Sequence, residues 1–260
     1  MIVNARMYSA TPQAKAAWTR LLGWAIQRAG LDWELLDYDA PAPLSELWAR
    51  SDLGGVMMCG LPYSQRSPRA TLVAAPVPAP ARYGARPIYF TDIAVRTDSK
   101  YTRLEDTFGA VVGYTLEDSM SGYVALRKHL LQYRSKARPK LYRHAVGGFV
   151  NARKVIEALD EQRIDVGPLD SYYYDIVRRT DPEFAAKVRV VATTAAAPIP
   201  PLVSTADVSF REALLAASDA PELAQERDVL LLKRFVVPAE ADYGDFDRYV
   251  AEAKRYPDLW

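Results

Sequence analysis

The sequence holds one cysteine, Cys59, and two histidines, His129 and His144. A lone thiol cannot close an internal disulfide, and two imidazoles are too few for a multi-histidine metal centre. Disulfide, structural metal and cofactor are therefore not expected. Charge of one sign is lacking as well, because 33 Lys and Arg nearly cancel 32 Asp and Glu. Without a large positive field the chain lacks the term that dominates nucleic-acid affinity, and no nucleic-acid partner is expected. Long apolar runs are missing too: no segment reaches the roughly 18 uninterrupted apolar residues of a membrane span. The opening MIVNARMYSATPQAK has no charged stretch, apolar run and small-residue cleavage site of a secretory leader. The chain is expected to be soluble and not to insert in a membrane.

What is present is ample apolar material. With 260 residues, half of them hydrophobic, the chain can bury a full core as one large domain or as two lobes. A short strand is expected around Val3 to Met7. A helix follows, opened by Thr11 as N-cap with Pro12 at its first position and ending near Gly30, its buried face marked by Trp18, Leu21, Leu22, Ala25 and Ala29. LDWELLDYD reads as a strand, PLSELWARSD as a short helix and GGVMMCG as a buried strand. Residues 75 to 87, APVPAPARYGARP, look too rich in proline for regular structure and are expected on the surface.

PIYFTDIAVR opens a second alternating set. AVVGYT, KLYRHAV, IDVGPLD and VRVVATT are expected strands; SMSGYVALRKHLLQYR, NARKVIEALDEQ and SYYYDIVRRTDPEFAAK are expected helices, and the chain beyond Ala206 is expected to be mainly helical. Alternation of this kind implies mostly parallel sheets covered by helices, with ligands met at the carboxyl ends of strands.

The segment YTLEDSMSGYVALRKHLL places a strand, a polar loop and a helix in order, with Ser119, Ser121 and Gly122 at the helix start. Backbone N–H groups at a helix N-terminus and the positive end of its dipole attract anions, hydroxyls add donors, and glycine lets a ligand approach the backbone. Ser119 equally suits plain helix capping. The paired Gly147 and Gly148 suit a tight turn, with or without a ligand above it. Asp170 stands at a strand end before Tyr172, Tyr173 and Tyr174, as a ligand group or as a helix cap; at helical spacing no more than two of those tyrosines face one way. His144 reads as a strand histidine near the surface.

PIYFTDIAVRTDSKYTRLED, GYTLEDSMSGY, then GGF with VIEALDEQRIDVGPLDSY, and VVATTAAAPIPPLVS occur in the order found in phosphate/phosphite/phosphonate substrate-binding proteins of ABC transporters, which the chain resembles over almost its full length. MCGLPY and DYGDFDRYVAEAKRYPDL are similar to that family as well, and SMSG resembles its Ser-Thr-Ser-Gly anion loop. The resemblance implies an α/β fold of the two-lobed type II periplasmic binding protein class. Each lobe would be a mostly parallel sheet flanked by helices, with two hinge strands joining them and the ligand in the cleft. Residues 1–90 with 198–260 would form the first lobe and 91–197 the second. By position, Ser119, Met120, Ser121 and Gly122 would cradle an anionic solute, with Asp170 and Tyr172 beside it and Tyr8, Cys59, Gly60 and Tyr63 closing from the first lobe.

Two departures from the family pattern bear on the ligand. Met120 replaces the threonine of the loop, and Phe149 to Asn151 stand where a histidine follows the Gly-Gly junction, so polar donors are replaced around Phe149 and Asn151. An anion with an organic substituent is therefore expected in preference to inorganic phosphate. A nucleophile elbow, a P-loop, a GxGxxG and a histidine base for the serines are absent from the sequence, so no catalytic residue is expected. The implied role is solute capture for an ABC importer by a periplasmic monomer docking on a permease. The lack of a leader in the chain keeps open a cytoplasmic ligand sensor, and a menaquinone- or thiamine-pathway type of biosynthetic enzyme shares the scaffold.

Overall fold

Thr11 has extended backbone, and its side chain accepts the Ala14 N–H at 3.2 Å; Pro12 then opens the Pro12–Arg28 helix, burying Ala14, Trp18, Leu21, Leu22 and Ala25 along one face. The computed structural model to which this helix belongs describes residues 1–260, apart from the side chain of Pro257. Its contacts divide the chain into two units, Met1–Ile88 with Pro198–Gly244, and Tyr89–Ala197 with Asp245–Trp260.

The first unit is built on a six-stranded sheet in the order Leu232–Val236, Thr71–Pro78, Leu202–Ser204, Leu53–Met57, Ile2–Asn4, Glu34–Leu35. Ile2–Asn4 is parallel to both of its neighbours, and the remaining pairs are antiparallel. The second unit carries a five-stranded sheet in the order Val188–Thr193, Thr91–Arg96, Val166–Asp170, Val111–Gly113, His144–Val146. Val111–Gly113 is parallel to its two neighbours, whereas Thr91–Arg96 runs antiparallel to both of its own. Both sheets are thus mixed rather than mostly parallel. The βα units supply the parallel part.

The proline-rich stretch also departs from expectation. Thr71–Pro78 is one strand, with Ala74, Ala75 and Val77 wholly buried. The reason is the alternation of Pro76 and Pro78. Leu202–Ser204 pairs with this strand only as far as Ala74, while Ala79 donates its N–H to Leu231 on the opposite side. At period two the prolines turn their missing donors toward the side that has run out of partner, so no ladder bond is lost. Beyond Ala206 the chain is not purely helical: Leu232–Val236 closes the first sheet. LDWELLDYD and KLYRHAV contribute only the short strands Glu34–Leu35 and His144–Val146.

The last residues correct the expected lobe boundaries. The resemblance places residues 198–260 in the first lobe, yet Asp245–Trp260 packs with the second unit. Leu259 is wholly buried in that unit's core with Ile93, Val112, Leu126, Leu130 and Val166. Arg127, 2% exposed, donates to the carbonyls of Ala253 and Tyr256 and stands 4.3 Å over the Trp260 ring. Leu141 donates to the Leu259 carbonyl at 2.9 Å, and Lys128 pairs with Glu252 at 3.0 Å. These bonds join residues far apart in sequence, and no local pattern announces them.

Arg127→Met keeps the apolar stem but leaves two carbonyls at the terminal helix without their donor. Urea denaturation of this variant is expected to show a loss of about 1–3 kcal/mol; unchanged stability would mean that the terminal segment is held by Leu259 and Trp260 alone.

Candidate functional site

The three parallel strands of the second sheet, Val111–Gly113, His144–Val146 and Val166–Asp170, end on one edge, and each leads toward a helix start. A residue with an accepting side chain caps each start. Ser119 accepts the Gly122 N–H at 3.0 Å, Asn151 accepts the Lys154 N–H at 3.0 Å, and Asp170 accepts those of Tyr172 and Tyr173, both at 3.0 Å. Thr91, opposite Asp170 in the ladder, donates its hydroxyl to the Ser121 carbonyl at 2.9 Å and so ties this turn to the sheet.

The caps differ in charge, and the difference matters for an anion. Asp170 already puts a carboxylate on the positive end of the Ser171–Thr180 helix. The helical run that begins at Met120 is capped by the neutral Ser119, with the carboxylates of Glu117 and Asp118 exposed in the loop before it, and by helix geometry its first N–H groups have no intrahelical acceptor. Its first turn is wide: the Val124 N–H reaches the Ser119 carbonyl at 3.1 Å, an i to i−5 bond, before the run tightens into Ala125–Leu130. Such turns recur at functional positions. Ser119 and Ser121 are each partly exposed.

Gly122 has a reason within the fold for being glycine. A Cβ there would lie 1.7 Å from Thr115 Oγ1 and 2.9 Å from Ser119 Oγ. The close approach is made by Thr115, whose N–H also donates to the Gly122 carbonyl at 3.1 Å. Gly147 is constrained in the same way, since a Cβ would meet the Tyr114 ring at 2.2 Å, and Gly148 has φ of +84°, where a side chain is strained. Tyr114 and Tyr123, which flank the turn, lie 5.0 Å apart, and Trp260 stacks on Tyr114 at 15° between planes.

Not every expected residue meets solvent. Met120 and Phe149 are 3% and 7% exposed, and the Arg163 guanidinium covers the Phe149 ring at 5.4 Å. Neither presents a broad apolar surface. Tyr172, Tyr173 and Tyr174 are all buried, within the expected limit of at most two reachable ones, and burial pushes the hydroxyls of Tyr172 and Tyr173 well above the usual phenol range. Asn151 acts as a cap and His144 is exposed on its strand.

The first-unit candidates form a separate group. Tyr8 ends the Arg6–Tyr8 turn, is 1% exposed, and its carbonyl accepts the Trp18 Nε1–H at 3.2 Å. A surface hollow of about 190 Å³ lies nearby, walled by Asn4, Arg6, Ser9, Lys15, Tyr38 and Asp39 but not by Tyr8. Cys59 caps the Gly60–Gln65 helix without a side-chain bond to it, and its carbonyl accepts the Tyr63 N–H at 3.0 Å. Tyr63 is wholly buried edge-on to Tyr243 at 5.1 Å; its hydroxyl has no hydrogen-bond partner among the described residues, and burial raises its pKa. Thr115, Thr91 and Trp260, all close to the Ser119 turn, were missed in the sequence because no spacing rule links them to SMSG.

No curated protein sequence matches the chain. Solved structures do. A binding protein component of an ABC phosphonate transporter from Pseudomonas aeruginosa superposes with TM-score 0.78 at 16% identity, covering 98% of this chain and 87% of its own. PhnD1 from Prochlorococcus marinus, solved in complex with methylphosphonate, gives TM-score 0.77 at 12% identity over 100% of this chain and 98% of its own. A Xanthomonas citri protein bound to ATP gives 0.64 at 20%, covering 99% and 98%. At these identities the likeness establishes the fold. The sequence itself matches one family over residues 15–243, most of its length. The resemblance drawn from SMSG and its neighbours is thereby borne out, and the chain belongs to the family of ABC transporter phosphonate periplasmic substrate-binding proteins.

Proposed function

We propose that this chain captures a small phosphonate-class anion for an ABC importer, and that the anionic head is held at the helix start formed by Ser119, Met120, Ser121 and Gly122. The observation that carries this reading is the electrostatic contrast among the caps: Asp170 fills its own helix end with a carboxylate, whereas Ser119 leaves the positive end at Met120 to a neutral hydroxyl. Asp170, partly exposed on the same edge, repels a second negative group and favours a cationic or hydroxyl-bearing substituent. With Met120 in place of a hydroxyl residue, the turn offers fewer donors to a fully oxygenated anion, which supports an organic phosphonate over inorganic phosphate.

Capture without catalysis is the reading we favour. The Ser119 hydroxyl is engaged by a backbone N–H rather than by a base, and membership of a substrate-binding family supports the same view. A monomer acting in the periplasm and docking on a permease belongs to this proposal, on the strength of the family alone.

Replacing Ser119 and Ser121 together by alanine is expected to weaken methylphosphonate binding by about 1–3 kcal/mol in calorimetry. A lower melting temperature with unaltered affinity would instead assign both serines to capping. In the same titration, methylphosphonate and an amino-substituted analogue are expected to bind more tightly than inorganic phosphate; tightest binding to phosphate would overturn the preference for an organic substituent.

A further inference from the structure

Thr115 has a hydroxyl that neither the fold nor the reading above uses. The residue is 7% exposed, and its Oγ1 has no hydrogen-bond partner among the described residues. Its backbone, by contrast, is fully engaged: the N–H donates to the Gly122 carbonyl at 3.1 Å and the carbonyl accepts the Gly148 N–H at 2.8 Å. Thr115 is thus pinned between the two glycine turns of the sheet edge while its hydroxyl is left over. A buried hydroxyl without a partner is costly.

Position gives the hydroxyl a use. Oγ1 lies against Gly122 in the first turn of the Met120 helical run, 1.7 Å from the point where a Cβ would stand, with Ser119 Oγ 2.9 Å from the same point. Two hydroxyls therefore flank the Gly122 Cα, one bonded to the Gly122 N–H and one unpaired. We propose that Thr115 is a further ligand-binding residue, whose hydroxyl donates to an oxygen of the oxyanion held at this helix start and stands in for the hydroxyl that Met120 lacks. The inference rests on the reading of the Ser119–Gly122 turn as the anion site.

The test uses the full chain with methylphosphonate, inorganic phosphate and sulfate as probes, comparing Thr115→Val, Thr115→Ser and the Ser119→Ala/Ser121→Ala pair by calorimetry and thermal melting. Thr115→Val should still melt cooperatively as a folded chain yet bind methylphosphonate at least about tenfold more weakly. Thr115→Ser should retain affinity within about threefold, equivalent to roughly 0.7 kcal/mol. If Thr115→Val binds like wild type while the serine pair loses affinity, the Thr115 assignment fails and the turn site stands. If the serine pair binds like wild type, or the wild-type chain binds none of the three anions, the turn reading itself fails. An equal loss of affinity in Thr115→Ser and Thr115→Val would trace the effect to packing rather than to the hydroxyl and would also overturn the inference.

Discussion

The contact between the Gly122 Cα and the Thr115 side chain governs the geometry of the candidate site. It is closer than any side chain at position 122 would allow, and it holds the start of the helix against the end of the Val111–Gly113 strand. Beside it lie the wide first turn, the bond from the Gly122 N–H to the Ser119 hydroxyl, and the two partly exposed serines. Close packing of a strand end against a helix end recurs where α/β sheets present backbone N–H groups to anions. Here the glycine serves that packing first.

Around this contact the second unit is unusually interlocked. Tyr114 and Tyr123 stand on either side of the turn, Trp260 packs on both, and Arg127 lies over the Trp260 ring while donating to the terminal helix. The Asp245–Trp260 segment thus buttresses the helix that carries the anion turn. A buried guanidinium is tolerable there because two carbonyls and an aromatic face replace its water. The same arrangement explains why this segment belongs with the second unit.

Electrostatics then separates otherwise similar helix starts. Ser119, Asn151 and Asp170 occupy equivalent positions, but only Asp170 brings a full negative charge to the helix end it caps. The second sheet presents three helix starts on one edge. Cap charge sets the Asp170 start apart from the neutral Ser119 and Asn151 starts, because a carboxylate already in place competes with any anion that would come.

The sequence by itself determined the helix that starts at Thr11 and Pro12, the cap positions Ser119 and Asp170, the alternating βα order and the family. These depend on residues near one another in the chain, where capping chemistry and periodicity act. Tertiary structure decided what depends on partners brought from a distance. Pro76 and Pro78 sit in a buried strand because the neighbouring strand stops at Ala74, and the three tyrosines after Asp170 are all covered by packing. The terminal segment joins the second unit through Arg127 and Leu259, and Gly122 is glycine because Thr115 lies against it. Each of these is set by which atoms meet across the fold, and spacing along the chain carries no record of such meetings.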